Sequence, residues 1–407
     1  LCVNLKKKRP SKLIRVLGPA PAVVSRIRGS YRWNVLLKAK TVPQLVKLLR
    51  KTLKNFIRDV FIKLDVPEGH AEIIAKVLIS SDLRGIDSHG IQRLKMYYDR
   101  IKEGIYNPKT NIKVISDNKA TAVLDGGCGM GHVIAYLSMR LAIEKAKKYG
   151  IGAVAVRNST HFGIAGYYSL MAINEGMIGF VTTNTRPSVP PTFGIEPMLG
   201  TNPLTYGAPT DEDFPFLIDC ATSIIQRGKV EVFNRLHKPI PEGLIISSNG
   251  NSKTDPDVIL NKLINRSAAL LPLGGLGEDT SGHKGYGYAT FAEILSSALQ
   301  DGVYLKDTAG VIENGQKKLK VGHFFLAINI QNFIPVKKFK KITGNIMRDL
   351  RRSKKAPGKD RIYTAGEKEY YNEVERKKIG IPINKSIQKD IKIIQKELKL
   401  NNYNFPF

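Results

Sequence analysis

Apolar residues recur at helical spacing in Leu53, Phe56, Ile57, Val60, Phe61 and Leu64, which predicts an amphipathic helix just beyond residue 52. A second helix is expected from Asp65-Val66-Pro67, where proline in the first turn loses no hydrogen bond. It carries Ala71, Ile74, Val77 and Leu78 on one face. From about residue 120 the period alternates. Thr121–Leu124 reads as a strand, Val133–Lys148 as a helix closed by Gly150, and Ile151–Val156 as a strand. Gly163–Glu175 follows as a helix and Ile178–Thr183 as a strand. The stretch 184–215 is rich in Pro, Gly, Thr and Asn and has no period, so it reads as a long functional loop. Phe216–Cys220 and Phe324–Ile330 read as strands and Tyr286–Leu299 as a helix. Three Lys-rich helices are expected near 335–352, 367–378 and 386–399. The class is mixed α/β.

Composition narrows the possibilities. With 42% hydrophobic and 24% charged residues over 407 positions, disorder and collagen-like structure are excluded. Cys2, Cys128 and Cys220 are too few and scattered for a disulfide framework, which points to a reducing, cytoplasmic compartment. No apolar run reaches the roughly 18 residues of a membrane span, so no membrane partner is expected. The seven histidines show no zinc-ligand spacing, and no metal site is expected. The net charge of +29 is uneven, because residues 1–55 hold 15 Lys and Arg and no Asp or Glu. Such a block suits an appended nucleic-acid arm or a solvated basic tail.

Four clusters carry candidate chemistry. Arg84-Gly-Ile-Asp-Ser88-His89-Gly90 precedes Arg93. Histidine moves protons near neutral pH, serine can orient it, and a guanidinium binds a carboxylate with two parallel hydrogen bonds. If a helix has begun there, His89 and Arg93 share a face; a helix cap with a surface arginine fits the same residues. Arg157-Asn-Ser-Thr-His161-Phe162-Gly163 lies between a strand and a helix, where α/β folds place ligands, although a polar turn would also look like this. Gly126-Gly-Cys-Gly-Met-Gly131 fails the G-x-G-x-x-G spacing at His132 and reads as a strand-to-helix turn. Gly282-His283-Lys284-Gly285-Tyr286-Gly287 opens a helix, and its lysine is either a phosphate ligand or merely solvated.

The order of these clusters is more telling than any one of them. "DLRGIDSHG" (82–90), "VRNSTHFGIAGYY" (156–168), "GTNPL" (200–204), "IDCATS" (218–223), "LPLGGLG" (271–277), "GHKGYG" (282–287) and "VGHFFLAI" (321–328) succeed one another along the chain. The succession resembles the malate/L-lactate/ureidoglycolate dehydrogenase family over about residues 53–407. That family also includes sulfolactate, 2,3-diketogulonate and piperideine-2-carboxylate reducing enzymes. The resemblance implies a non-Rossmann α/β fold with helical N- and C-terminal parts, a nicotinamide cofactor (NAD or NADP), a small 2-oxo or 2-hydroxy acid substrate and a homodimer. It implies that His89 is the proton donor to the substrate carbonyl, Ser88 its orienting partner and Arg93 the ligand of the substrate carboxylate. His161 matches a histidine that contacts cofactor or acts in acid–base chemistry, beside Phe162 and Gly163. Thr185, Thr201, Asp219, Cys220, Ala221 and Lys284 match cofactor-binding positions. Ala365-Gly366-Glu367 falls where the family often has Pro-Gly-Glu/Gln, also near the cofactor.

Residues 16–52 stand outside that family. This segment, which begins "VLGPAPAVVSRIRGSYRW", resembles the extreme C-terminal end of the primosomal replication-restart helicase, without its motor. The chain opens on Leu1, as a fragment does, and the segment reads as a joined reading frame or an assembly artefact rather than half of a bifunctional protein. The expected organisation is a basic segment 1–52, a helical part 53–118 with the catalytic histidine, a cofactor-binding α/β domain 119–310, and a C-terminal strand with helices 311–407. The functions weighed against a hydroxy acid dehydrogenase are a nucleic-acid-binding replication accessory through residues 1–52 and a cyclic imino acid reductase.

Overall fold

A computed structural model describes residues 14–27, 30–39, 42–235 and 237–405. Of the basic segment, residues 1–13, 28–29 and 40–41 lie outside the described residues. In chain order, strands β1 (Ile14–Ile27) and β2 (Ser30–Ala39) precede helices α1 (Val42–Ile62) and α2 (Glu68–Leu83). Two short 3-10 turns, Asp87–His89 and Ile91–Arg93, lead into α3 (Leu94–Lys102). Then come β3 (Lys113–Asp117), β4 (Thr121–Asp125), α4 (Gly131–Tyr149), β5 (Ile151–Ser159), α5 (Gly166–Asn174) and β6 (Met177–Thr183). Next are β7 (Leu204–Ala208), β8 (Phe216–Cys220), α6 (Arg227–Arg235), β9 (Ile245–Ser247), α7 (Pro256–Ile264) and β10 (Ala268–Leu270). The chain continues through α8 (Gly282–Ser297), β11 (Val311–Glu313), β12 (Gln316–Lys318) and β13 (Val321–Asn329). Helices α9 (Val336–Arg352), α10 (Glu367–Ile379) and α11 (Lys385–Glu397) end the order.

The chain divides into two units, Leu1–Asp99 with Glu369–Phe407, and Arg100–Lys368. In the first, β1 and β2 pair antiparallel, and the predicted apolar face of α1 is buried at Phe56, Ile57, Val60 and Phe61. The end of the chain returns to that helix. Phe56 meets Tyr403 and Phe405 edge-on at 5.3 and 5.0 Å, and the Tyr403 hydroxyl donates to Asp59 Oδ2 at 2.5 Å.

The second unit is built on a seven-stranded sheet of order β3-β4-β5-β13-β6-β7-β8. Only β4 and β5 run parallel; the other neighbours are antiparallel. A strand from residues 321–329 thus fills the gap between β5 and β6, each more than 130 residues earlier. Its side chains alternate as a strand requires. Phe325 faces Tyr168 of α5, while Phe324 and Leu326 pack with Phe180, Leu204 and Ala292 of α8. The stretch 184–215 is not all loop, because β7 lies inside it. Leu204-Thr-Tyr-Gly-Ala is a weak strand sequence, and pairing on both sides by β6 and β8 overrides it. The glycine-rich run 126–131 is the turn from β4 to α4, where Gly126 and Cys128 donate to the Arg157 and Asn158 carbonyls at 2.9 and 2.8 Å.

His323 fastens the central strand. It is fully buried, its Nδ1 lies 2.8 Å from the Thr183 hydroxyl of β6, and its Nε2 lies 2.7 Å from the Ser159 hydroxyl of β5. Burial pushes its pKa down to about 3, so the ring is neutral. Replacing His323 with Leu leaves the buried Ser159 hydroxyl without its partner and the Thr183 hydroxyl with only its bonds to the Gly322 and Asn184 carbonyls, and should cost about 2–4 kcal/mol in chemical denaturation. The neutral ring's contribution is complete above its ordinary value of 6.5 and is lost as pH falls toward 3. Denaturation series over that window should therefore be flatter for the Leu variant than for the parent chain.

Candidate active site

The first unit holds Ser88, His89 and Arg93 on the two 3-10 turns that follow α2. A continuous helix over these residues is absent, because Gly90 breaks it at φ −91° and ψ −138°. The side chains still converge. Ser88 Oγ lies 2.9 Å from His89 Nδ1, and Arg93 Nε donates to the Ser88 carbonyl at 2.6 Å. This bond turns the guanidinium back over the Ser88-His89 step. Arg93 makes no ion pair among the described residues and is half-buried, so its outer nitrogens can take an external carboxylate.

Beneath the turns lies Asp82, a residue that the sequence motifs do not single out. It is 1% exposed, and its Oδ2 accepts the Ile91 N–H at 2.9 Å. Gly90 rests directly on this carboxyl, where a Cβ would stand 1.8 Å from Oδ1. Glycine is required there for space. From α10, Arg376 donates to the Asp82 carbonyl and grips both oxygens of Asp87, one at 3.0 Å. Sequence offered one signal for Asp82, since it extends the apolar stripe of Ala71, Ile74, Ala75 and Leu78 by one helical turn.

These groups titrate far from their usual values. Burial, and then the Arg93 charge, holds His89 down to about 4, so its imidazole is neutral at physiological pH. Burial pushes Asp82 up to about 8, against the Ile91 hydrogen bond that lowers it; the Asp87 charge adds to the rise.

The other candidates belong to the second unit. His161 opens the turn between β5 and α5, with Gly163 N–H 3.4 Å from its Nδ1. Phe162 beside it is buried and stacked on His323 at 4.4 Å and on Tyr168 at 5.2 Å. Thr185 and Thr201 are brought together, since Thr201 N–H donates to Thr185 Oγ1 at 2.9 Å. Gly200 passes so close that a Cβ would stand 2.0 Å from that hydroxyl. The Asp219 carboxylate is already engaged, one oxygen by the Gly166 N–H at 2.7 Å and the other by the Thr205 hydroxyl at 2.9 Å. What Asp219, Cys220 and Ala221 can offer a ligand is therefore chiefly backbone. Glu367 is fully buried after Gly366 and receives Thr364 N–H and Oγ1 at 3.0 and 3.1 Å, with Arg351 and Arg361 beside it. Burial draws its pKa up, but the Thr364 hydrogen bonds and the two guanidinium groups bring it below the usual range.

Lys284 is exposed in the first turn of α8 and makes no ion pair among the described residues. One turn on, Gly287 faces open space. A free ammonium near a helix N-terminus, with paired threonine hydroxyls and closely approached backbone elsewhere in the unit, fits a phosphate-bearing, hydroxyl-rich group such as a nicotinamide dinucleotide. No cluster of three or more metal-ligating side chains occurs among the described residues. No helix among them is long and apolar enough to cross a membrane.

Comparison with known proteins identifies the family of the chain. A family profile described as malate/L-lactate dehydrogenase matches residues 49–392. A second, the primosomal protein N C-terminal domain, matches residues 3–68. A malate dehydrogenase of Pyrococcus horikoshii is 45% identical over 353 residues, covering 87% of this chain and 96% of that protein. An L-sulfolactate dehydrogenase of Methanocaldococcus jannaschii is 39% identical over 350 residues, covering 86% of this chain and 96% of the relative. The crystal structure of malate dehydrogenase from Entamoeba histolytica superposes with a TM-score of 0.83 at 45% identity, covering 88% of this chain and 98% of the other. The fold, α/β with helical regions, is the one these enzymes share.

The buried Asp82 predicts a pH effect of definite sign. In the fold it is pushed from its ordinary 3.8 up to about 8, so the folded state binds the extra proton and stability falls as pH rises from 4 to 8. Asp82→Asn keeps an oxygen for Ile91 N–H and should flatten that decline in thermal melts taken across the window. Gly90→Ala, by contrast, should displace the turn and lower turnover about tenfold or more at every pH.

Proposed function

The chain belongs to the malate/L-lactate dehydrogenase family, and from that premise we propose that it interconverts a 2-hydroxy acid and a 2-oxo acid with NAD or NADP. The observation that carries this reading is a neutral His89, oriented by Ser88, beside an Arg93 that makes no ion pair among the described residues. When bound, the nicotinamide supplies or accepts the hydride. Arg93 holds the substrate carboxylate and so orients the neighbouring carbon. In oxidation, neutral His89 accepts the 2-hydroxyl proton at Nε2 while Ser88 engages Nδ1. In reduction, the same nitrogen returns a proton to the carbonyl oxygen. The substrate carboxylate also neutralises Arg93, one of the two causes that depress His89, so substrate binding raises the histidine's proton affinity. His161, Phe162 and Gly163, together with Thr185, Thr201, the 219–221 step, Lys284, Gly366 and Glu367, are assigned to the cofactor side on the strength of the family resemblance and the donor set.

A second reading concerns residues 1–52 alone. Their basic excess and the likeness of residues 3–68 to the primosomal domain support weak, salt-sensitive binding of a phosphate backbone. DNA retention that disappears in chain lacking residues 1–52 would support that role.

The test of the enzyme measures loss of NADH or NADPH absorbance against pyruvate, oxaloacetate, sulfopyruvate and a cyclic imino acid. Turnover with one of the 2-oxo acids is expected; turnover with the imino acid alone would make the protein an imine reductase. His89→Ala should lower kcat by about 10²–10⁴ while NADH affinity survives. Arg93→Ala should chiefly raise KM for the acid, by about ten- to a hundredfold. The sign of the histidine shift places the acid limb of kcat/KM for hydroxy acid oxidation near pH 4 rather than 6.5. A limb near 6.5 would show that another group is the base.

A further inference from the structure

Glu293 lies on α8, outside every motif in the chain, with its side chain only 5% exposed. Its Oε1 accepts Asn184 Nδ2 at 3.1 Å and the Leu305 N–H at 2.9 Å, and its Oε2 accepts Asn202 Nδ2 at 2.8 Å. The amide orientations are fixed by backbone groups that cannot reverse. Asn184 Oδ1 accepts the Gly322 N–H at 2.8 Å, and Asn202 Oδ1 accepts the Thr185 N–H at 3.0 Å. Each amide must therefore turn its NH₂ toward Glu293. Three donors converge on one buried carboxylate, and no cation pairs with it among the described residues.

The network leads to the threonine pair. Asn202 sits at φ 24°, a backbone angle few non-glycine residues hold without support. It carries Thr185 through the N–H bond above, and Thr185 Oγ1 in turn receives Thr201 N–H at 2.9 Å. The Asn202 carbonyl accepts the Thr222 hydroxyl at 3.0 Å, which joins the residue after the 219–221 step to the same node. The Thr185 carbonyl accepts the Thr308 hydroxyl at 3.1 Å, and Leu305, three residues earlier, donates to Glu293. Every segment assigned to the cofactor between residues 184 and 222 is thus tied to one carboxylate.

We propose that Glu293 is a positioning residue for the nicotinamide cofactor: through Asn202 it sets Thr185 and Thr201 in the arrangement that binds the dinucleotide. The proposal rests on the cofactor reading above and adds a residue to it. Glutamine is not an equivalent at this position. One of its terminal atoms would be a donor facing a donor, so it forfeits either the Asn202 bond or both bonds to Asn184 and Leu305.

The experiment titrates the full chain, Glu293→Gln and Asn202→Ala with NADH and NADPH by nicotinamide fluorescence, alongside thermal melts and KM for the acid at saturating cofactor. Glu293→Gln should weaken cofactor binding about tenfold, while KM for the acid stays within about twofold. Asn202→Ala should weaken it similarly, and the double variant should lose little more, because both changes cut one link. If Glu293→Gln does not fold, Asn202→Ala alone reads the same link. Unchanged cofactor affinity in a folded single variant, additive losses, or an acid KM that rises in step would overturn the proposal while the cofactor reading stands. A parent chain that binds neither NADH nor NADPH would overturn both.

Discussion

Four small residues in register, Gly152, Ala327, Gly179 and Gly207, form a row across β5, β13, β6 and β7. The second unit depends on that row. A Cβ on Gly152 would stand 1.9 Å from the Ala142 carbonyl of α4, and one on Gly179 would stand 2.8 Å from the Ser169 carbonyl of α5. At Gly207 it would meet Ile173 at 2.4 Å. Both helices therefore lie on the backbone of the sheet rather than on its side chains. Close packing of this kind cannot be adjusted locally, because any added methyl displaces a whole helix. The segments that enter those helices inherit the precision: the turn 126–131 leads into α4, and the 161–165 turn leads into α5.

His323 acts one layer away from this row. Its two hydrogen bonds clamp β13 to strands on either side, and its ring forms the floor on which Phe162 stacks. His323 is thus structural, whereas His89, also depressed by burial, stands beside Arg93, which makes no ion pair among the described residues. Both nitrogens of His323 are consumed by protein hydroxyls, and a ring so held has no proton to exchange with a ligand.

The helices and most strands were legible because their apolar positions repeat with the period of the element they form. α2, α4, α8 and the three C-terminal helices fall where that period predicts, within a few residues. β7 was not legible, since Leu204-Thr-Tyr-Gly-Ala becomes a strand only through partners on both sides. The pair β9 and β10, only three residues each and bonded to one another in a two-stranded sheet, was too short to show a period, and α6 and α7 were not predicted either. Among the candidate residues, Ser88, His89 and Arg93 came together as expected, but through two 3-10 turns broken at Gly90 instead of one helical face. Asp82 stands in the 82–90 motif with no role assigned to it there, and Glu293 lies in no motif. Each occupies an apolar stripe of its helix, with Ala71, Ile74 and Leu78 leading to Asp82 and Gly285 and Ala289 to Glu293. A carboxylate on a buried stripe is the signal that could have found them.

The two buried carboxyls serve their loops with different sets of donors. Asp82 is pushed up to about 8 by burial, against which it receives only one backbone N–H, and the Asp87 charge adds to the rise. Glu293 is also raised by burial, but three N–H donors on its two oxygens oppose the rise. Each of those donors lowers the carboxyl's proton affinity against the effect of burial. The turn that bears His89 and Arg93 is therefore anchored without adding negative charge beneath a guanidinium that must attract a carboxylate. The Thr185–Thr201 loop, by contrast, is anchored by a carboxyl group on which three N–H donors converge. Each anchor suits its site: the first leaves the Arg93 charge undiminished, and the second holds the φ 24° backbone of Asn202 in place.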